Sequence, residues 1–197
     1  MTHAARSYWD GQAAAFDDDP DHGLREPAVR AAWRTLLRGH LPPAPADVAD
    51  LGCGTGTLSV LLAEDGHRVR GLDVSEQMLV AARRKAAAAG VDVVLEQGDA
   101  ADPPYEAASF DVVLSRHVLW AMPDPAAALA RWSTLLRPGG RLLLIEGSWS
   151  TGAGLRASAV ERLLAELGRS AAVQVLDDSG YWGREIDDER YLVVSAG

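Results

Sequence analysis

The chain has 197 residues, 48% of them hydrophobic and 24% charged, and its 19 Lys+Arg against 28 Asp+Glu leave a net charge of −9. Such a composition buries an ordinary globular core and excludes disordered and collagen-like classes, while the acidic balance opposes general binding to nucleic acid or anionic membrane, which needs a basic surface. The single cysteine, Cys53, excludes an internal disulfide and a cysteine-built metal site.

Residues 1–40 hold an aromatic segment, SYWDGQAAAF, an acidic run, DDDPD, and a helix with Val29, Trp33 and Leu36 on one face. They read as a helical cap packed on the rest of the chain, with the acidic run as a solvated surface turn and no metal site. The start MTHAARSYWD lacks the apolar run of a secretory signal, and no stretch approaches the ~20 residues that cross a bilayer. The expectation is a cytoplasmic protein. His3, His40 and His67 fall at a terminus or at helix ends and are expected to face solvent.

From residue 48 onward, short apolar runs alternate with helical patterns, the mark of βαβ units around a parallel sheet. A strand at 48–51 meets the turn GCGTG and a helix bearing Leu58, Leu61 and Leu62, stopped by Gly66. A strand at 68–72 leads to Asp73 and to a helix capped by Ser75, with Glu76 in its first turn and Gly90 as its stop. A third strand, 91–96, enters the loop GDAADPPYEAAS; strand four is 110–115, a Pro-opened helix spans 124–136, Pro138-Gly139-Gly140 closes it, and strand five is 141–146. The Gly-rich loop GSWSTGAG, a helix carrying Val160, Leu163, Leu164 and Leu167, and strands near 171–176 and 190–195 that pair as a hairpin complete the chain.

The segment DVADLGCGTG at 47–56 runs a strand straight into Gly52, Gly54 and Gly56, where the backbone turns sharply and approaches a ligand with no Cβ in the way. A dinucleotide site wants GxGxxG, but the spacing here is GxGxG with Thr57 in the next position; a phosphate-cradling loop ending in Lys is absent, because Lys85, the sole lysine, lies far off. Asp73, at the end of strand two, places a carboxylate where it accepts both hydrogen bonds of a ribose diol. Asp99, at the end of strand three, sits one strand further out, where it or its backbone meets an adenine amino group. Ligands of parallel α/β sheets bind outside the carboxyl ends of strands, so the glycine loop, Asp73, Asp99 and Ser115 converge on one crevice.

The pieces VADLGCGTG, GLDVSEQML, LEQGDAAD, FDVVLSRHVLWAMPDP and LLRPGG, in this order over residues 47–146, resemble the class I S-adenosylmethionine-dependent methyltransferases of the small-molecule (quinone and natural-product) branch. The resemblance implies a Rossmann-like α/β fold: a seven-stranded, mostly parallel sheet with the last strand antiparallel, helices on both faces and a helical N-terminal cap. It also implies one domain over 1–197, with a cap (1–40), a cofactor-binding core (47–146) and a C-terminal loop, helix and strand pair (147–197). The cofactor would be S-adenosylmethionine, leaving as S-adenosylhomocysteine. Asp73 would hold the ribose, Val74 and Met78 would flank the adenine, and Gly98, Asp99 and Ala100 would meet its edge. Gly52, Cys53, Gly54, Thr55, Gly56 and Ser115 would line the loop and the methionine part, with Asp50 steadying the loop from below. Cys53 is then a small residue admitting the ligand rather than a nucleophile. The string DPPY at 102–105 looks like the motif of amino-methylating DNA enzymes, but it precedes strand four instead of ending it, and reads as a connecting loop.

Methyl transfer is an in-line displacement that needs orientation, desolvation and an acceptor lone pair, with a base only where the acceptor must lose a proton. His117, after strand four, is the first candidate base and His22 in the cap the second. Arg116 could anchor an anionic acceptor through its planar fork, or equally form an ion pair with the acidic cap. Tyr8, Trp9, Phe16, Trp120 and Trp149 could wall an acceptor pocket, while Trp33 and Trp132 belong on core faces. The expected partner is a small-molecule acceptor methylated on oxygen, or on nitrogen, by a monomer or homodimer, with no nucleic acid and no membrane. An NAD(P)-dependent oxidoreductase and a non-catalytic S-adenosylmethionine-binding protein are the alternatives; the missing third glycine and the lack of a Tyr-Lys pair count against the first.

Overall fold

Val48, Ala49 and Leu51 are fully buried, and a strand apolar on both sides has to be covered on both faces. In the computed structural model, which describes the backbone from residue 3 and side chains from residue 4 onward, that strand sits in the middle of a seven-stranded sheet. The strands are β1 (Asp47–Leu51), β2 (Arg68–Asp73), β3 (Val94–Gln97), β4 (Phe110–Arg116), β5 (Leu136–Ser148), β6 (Ala172–Val175) and β7 (Glu189–Ala196), in the spatial order β3-β2-β1-β4-β5-β7-β6. Neighbours from β3 to β5 are parallel; β7 is antiparallel to β5 and to β6, so the last strand alone runs against the rest. The chain leaves β1 toward β2 and then crosses back to β4, which opens a crevice outside the carboxyl ends of β1 and β4.

The helices are α1 (His3–Gln12), α2 (Pro20–Gly23), α3 (Pro27–His40), α4 (Thr57–Glu64), α5 (Glu76–Ala89), α6 (Pro125–Thr134), α7 (Ala157–Glu166) and α8 (Ser179–Trp182), with 3-10 turns at Phe16–Asp18 and Leu119–Ala121. One core cluster joins Leu129, Trp132, Val160 and Leu164 to Val113, Leu142 and Leu144. The other joins Trp33, Leu37, Leu61 and Trp182 to Val48, Leu114 and Leu143. The alternation of inward residues along β4 and β5 thus serves two layers. Trp33 and Trp132 are fully buried, each indole N–H donating to a backbone carbonyl, of Tyr181 and of Ala100, at 2.7 Å. The α5 start is as the sequence predicts: Ser75 Oγ accepts from Met78 N at 3.1 Å, and Gly90 ends the helix at φ 68°.

Several boundaries differ from the sequence reading. β3 starts at Val94, because it is an edge strand whose first partner is Arg70. β5 begins at Leu136, before the Pro-Gly-Gly segment expected to separate helix from strand; Leu136 pairs with Phe110, and a register shift absorbs the intervening residues. The DPPY segment is a loop, as expected, held by Arg131 Nη2 donating to the carbonyls of Pro103 and Tyr105 at 2.6 and 2.8 Å.

The acidic run is solvated only in its middle, at Asp18 and Asp19, and its two ends turn inward. Asp17 pairs with Lys85 at 2.9 Å and accepts from Thr55 Oγ1 at 2.5 Å, and Asp21 is only 5% exposed. The chain folds back through α2 over the crevice, which brings this run onto the glycine loop. His67 is also buried, its Nδ1 accepting from Ala46 N at 3.3 Å, and His40 Nε2 lies 2.9 Å from Gln174 Oε1; the side chain of His3 lies outside the described residues. Among the described residues, no helix is long and apolar enough to cross a membrane.

Candidate functional site

The turn after β1 is built on backbone hydrogen bonds from its neighbour strand: Gly52 N and Cys53 N both donate to Leu72 O, at 2.7 and 3.0 Å. Gly52, Gly54 and Gly56 all have positive φ, at 73°, 55° and 72°, a region that costs other L-residues roughly 1–2 kcal/mol. At Gly52 a Cβ would also stand 2.4 Å from Val118 Cγ2, so a side chain there would block the mouth between β1 and β4. Asp73 completes the loop. Its Oδ2 accepts from Gly54 N and its Oδ1 from Ser75 N, both at 2.8 Å, which leaves lone pairs on both oxygens for a diol. Burial raises its carboxyl above the ordinary range, opposed by those two backbone N–H groups.

Asp50 lies beneath the loop, accepts from Ser59 Oγ at 2.5 Å, and is pushed up to about 6 by burial. Burial likewise drives the Cys53 thiol well above its usual value, so it stays protonated and unreactive.

These residues line one end of a cavity of about 600 Å³. The cap covers it: Asp10 of α1 accepts from Ser75 Oγ at 2.5 Å and from Gln77 N at 3.3 Å, which seats α1 on the start of α5.

The other end of the cavity is walled by rings and guanidiniums. His117 follows β4 in a left-handed conformation, φ 58°, with its N–H donating to Ile145 O at 2.8 Å and its carbonyl accepting from Trp120 Nε1 at 2.9 Å. Such backbone strain in a non-glycine residue persists only where the surroundings impose it, and it gathers at functional sites. Here Glu146, wholly buried at the end of β5, imposes it by accepting from Val118 N and Leu119 N at 3.0 and 2.7 Å. Burial pushes Glu146 up to about 8, so it holds this corner as a neutral acid at neutral pH.

The His117 ring packs edge-on to Trp149 (5.2 Å) and stacks near Trp182 (6.1 Å), and its Nε2 has no hydrogen-bond partner among the described residues. Burial first, then Arg116, His22 and Arg190, hold it well below the ordinary histidine range, as the neutral imidazole. His22 stacks on Phe16 at 4.3 Å and lies 3.7 Å from Asp21 Oδ2; burial and Arg116 lower it too. Arg116 lines the cavity but is engaged by the cap, its Nη1 donating to Asp21 O at 2.6 Å and its guanidinium resting over Trp33.

Of the sequence-predicted residues, Asp50, Gly52, Cys53, Gly54 and Asp73 share the cavity with Val74 and Met78. Tyr8, Trp9, Phe16 and His22 reach it from the cap, Arg116 from the end of β4, and His117, Trp120 and Trp149 from the segments after β4 and β5. Six others lie off it. Thr55 faces Asp17 and Lys85 instead of the cavity, and Gly56 is the N-cap of α4, where a Cβ would meet Ala82 at 2.7 Å. Gly98 packs on Leu72; the Asp99 carboxylate turns back to accept from Ala101 N at 2.8 Å; and Ala100 is buried, with its carbonyl taken by Trp132. Ser115 is fully buried within β4.

Sequence reasoning missed Asp10, Asp21, Glu146 and Arg190. Glu146 carried a signal, as the one acid closing an otherwise apolar run; Arg190 carried none, because it reaches the site only through the pairing of β7 with β5.

Residues 49–144 match the family model described as a methyltransferase domain. Over 141 residues the chain is 38% identical to a 27-O-demethylrifamycin SV methyltransferase of Amycolatopsis mediterranei, covering 70% of this chain and 48% of that protein. It is 34% identical over 141 residues to a ubiquinone biosynthesis O-methyltransferase of Xanthomonas axonopodis, covering 71% and 56%. The chain thus spans about half the length of the curated relatives it matches. Among solved structures it is similar in fold to the [4+2]-cyclase SpnF (TM-score 0.74, 19% identity, 84% of this chain and 79% of that one). A geranyl diphosphate methyltransferase is similar as well (TM-score 0.71, 20% identity, 84% and 76%).

Proposed function

Because the chain carries a methyltransferase domain of the class I, S-adenosylmethionine-dependent family, we propose that it binds S-adenosylmethionine in this cavity and methylates an oxygen of a small-molecule acceptor, releasing S-adenosylhomocysteine. The observation that carries the reading is the joining, in one cavity, of the open Gly52–Gly54 turn and the Asp73 carboxylate with a ring-walled chamber around an unpartnered His117 Nε2. When bound, the cofactor supplies an electrophilic methyl group on a sulfonium centre.

The residues of this chain do the rest. Asp73 takes the ribose diol, Val74 and Met78 flank the adenine, and the Gly52–Gly54 backbone admits the methionine part. The cap, clasped through Asp10 and Ser75, excludes water. His117 offers neutral Nε2 to an acceptor hydroxyl and takes up its proton as the hydroxyl reacts; His22, held beside Asp21, flanks it. Oxygen as the acceptor atom is supported by the O-methyltransferases among the relatives.

Calorimetric titration with S-adenosylmethionine, S-adenosylhomocysteine and NADH tests the cofactor. Micromolar affinity for the two sulfur compounds and none for NADH is expected; the reverse order would replace the reading with an oxidoreductase. Acceptor-dependent loss of label from methyl-labelled S-adenosylmethionine, scored over a panel of phenols, enols and hydroxy acids, separates an enzyme from a binding protein.

A further inference from the structure

Arg190 is a buried guanidinium, 7% exposed, that lines the cavity and has no part in the proposed methyl transfer. It stands on β7 opposite Gly147 of β5. A Cβ on Gly147 would lie 2.9 Å from Arg190 Cδ and 3.2 Å from its Nη1, so the glycine is what lets the side chain cross β5 toward the cavity. There the guanidinium lies over Trp149 at 5.0 Å and over Trp182 at 5.2 Å, the two rings that also pack on His117. Asp188 takes Nη2 at 3.0 and 3.1 Å, but Nε is buried with no hydrogen-bond partner among the described residues. A buried charged donor left unpaired is costly unless a ligand completes it.

The same corner holds Asp21, His22 and His117, whose ligand atoms lie within 4.8 Å of one another in the manner of a candidate cation site. Arg116 and Arg190 act on this cluster with positive charge, adding to the burial that chiefly depresses His117, and Asp21 is already engaged by them electrostatically. Beside the unpartnered His117 Nε2, the unmet valences in this corner thus include a donor on a cation, Arg190 Nε, which an anion satisfies.

Resting on the methyltransferase reading, we propose that the acceptor is a planar, unsaturated molecule carrying a carboxylate, gripped by Arg190 while its ring lies against Trp149 and Trp120. The two indoles meet edge to face, 5.4 Å between ring centroids and 64° between planes, and so form an aromatic corner beside the guanidinium against which a flat ring can lie. Arginine donors match a carboxylate's geometry, and stacking holds Arg190 in register. Gly147 and Arg190 form a single device: the first makes the passage and the second fills it.

The test uses the full chain saturated with S-adenosylhomocysteine, titrated with 2-naphthoate and with its neutral analogue 2-naphthamide and followed by calorimetry and tryptophan fluorescence. Naphthoate is expected to bind about tenfold or more tightly than the amide, the scale of a charge-assisted hydrogen bond. Arg190→Gln should bring the two probes within about threefold of each other, and Arg190→Lys, which keeps the charge without the Nε donor, should retain part of the preference. Equal affinity of the two probes for the wild-type chain, failure of both to bind, or a preference undiminished in Arg190→Gln overturns the proposal. Failure of S-adenosylhomocysteine itself to bind would instead overturn the reading on which it rests. The wild-type comparison does not depend on any variant folding.

Discussion

Replacing Asp73 with Asn keeps the side-chain volume and removes the charge at the point where the loop meets the proposed ribose site. Asp73 holds two backbone donors, Gly54 N and Ser75 N, one on each oxygen at 2.8 Å. In the Asp73→Asn variant one oxygen becomes an amide nitrogen, so one of those N–H groups faces a donor. A buried donor left unsatisfied costs about 1–3 kcal/mol, which for a chain of this size lowers the melting temperature by roughly 2–12 °C. A charged acceptor is also lost to the ribose diol, worth about 1.5–3 kcal/mol or ~10–150-fold in affinity. Calorimetry with S-adenosylhomocysteine and thermal melts of the unliganded chain read the two effects separately. Ser75→Ala is the control, because it removes the α5 cap and the bond to Asp10 while leaving the carboxylate in place; it should cost about 0.5–2 kcal/mol of stability and much less affinity. A lowered melting temperature in Asp73→Asn with wild-type affinity for S-adenosylhomocysteine would refute the assignment and leave Asp73 as a purely structural loop anchor.

Glu146 makes stability depend on pH. Its folded value of about 8 lies above the ordinary 4.5 because burial penalises the anion, so between these values the folded state holds a proton that the unfolded chain has lost. Its contribution is complete below about pH 4.5 and is lost as pH rises through about 8, by up to a few kcal/mol. Glu146→Gln keeps an acceptor for Val118 and Leu119 and should flatten urea-melt stability between about pH 5 and 9; an equal decline in both proteins would exclude Glu146 as its source. His117→Gly relieves the left-handed backbone while deleting the ring, so stability should hold. Turnover of any acceptor found should fall ~10²-fold or more, with affinity for S-adenosylhomocysteine within about threefold; near-normal turnover would reduce His117 to a wall of the chamber.

Much of the glycine-turn end of the cavity was legible in the sequence because its determinants are local. A β-turn-α unit with positive-φ glycines, an acid at the end of the next strand and a Ser cap two residues later are consecutive constraints on one stretch of backbone, and Gly52, Gly54, Asp73 and Ser75 fall where that logic puts them. The same logic reaches less far at Asp99 and Ser115. It could place both at strand ends, but it could not tell that one carboxylate turns onto its own loop and that one hydroxyl is buried within the sheet.

Local pattern sufficed for the alternation of strands and helices, the glycine turn, the helix caps and the two-sided core, since periodicity, φ preference and hydrophobic burial act over a few residues at a time. Which distant charges share the chamber was settled by the folded chain. Asp17 and Asp21 of the acidic run became partners of Lys85 and His22 because α2 folds back over the crevice. Arg190, remote from His117 along the chain, joins it through the register of β7 on β5 and the missing side chain of Gly147. Strand register and the packing of a cap depend on surfaces assembled from the whole chain, and burial then fixes the protonation of Glu146 and His117, which no local pattern encodes.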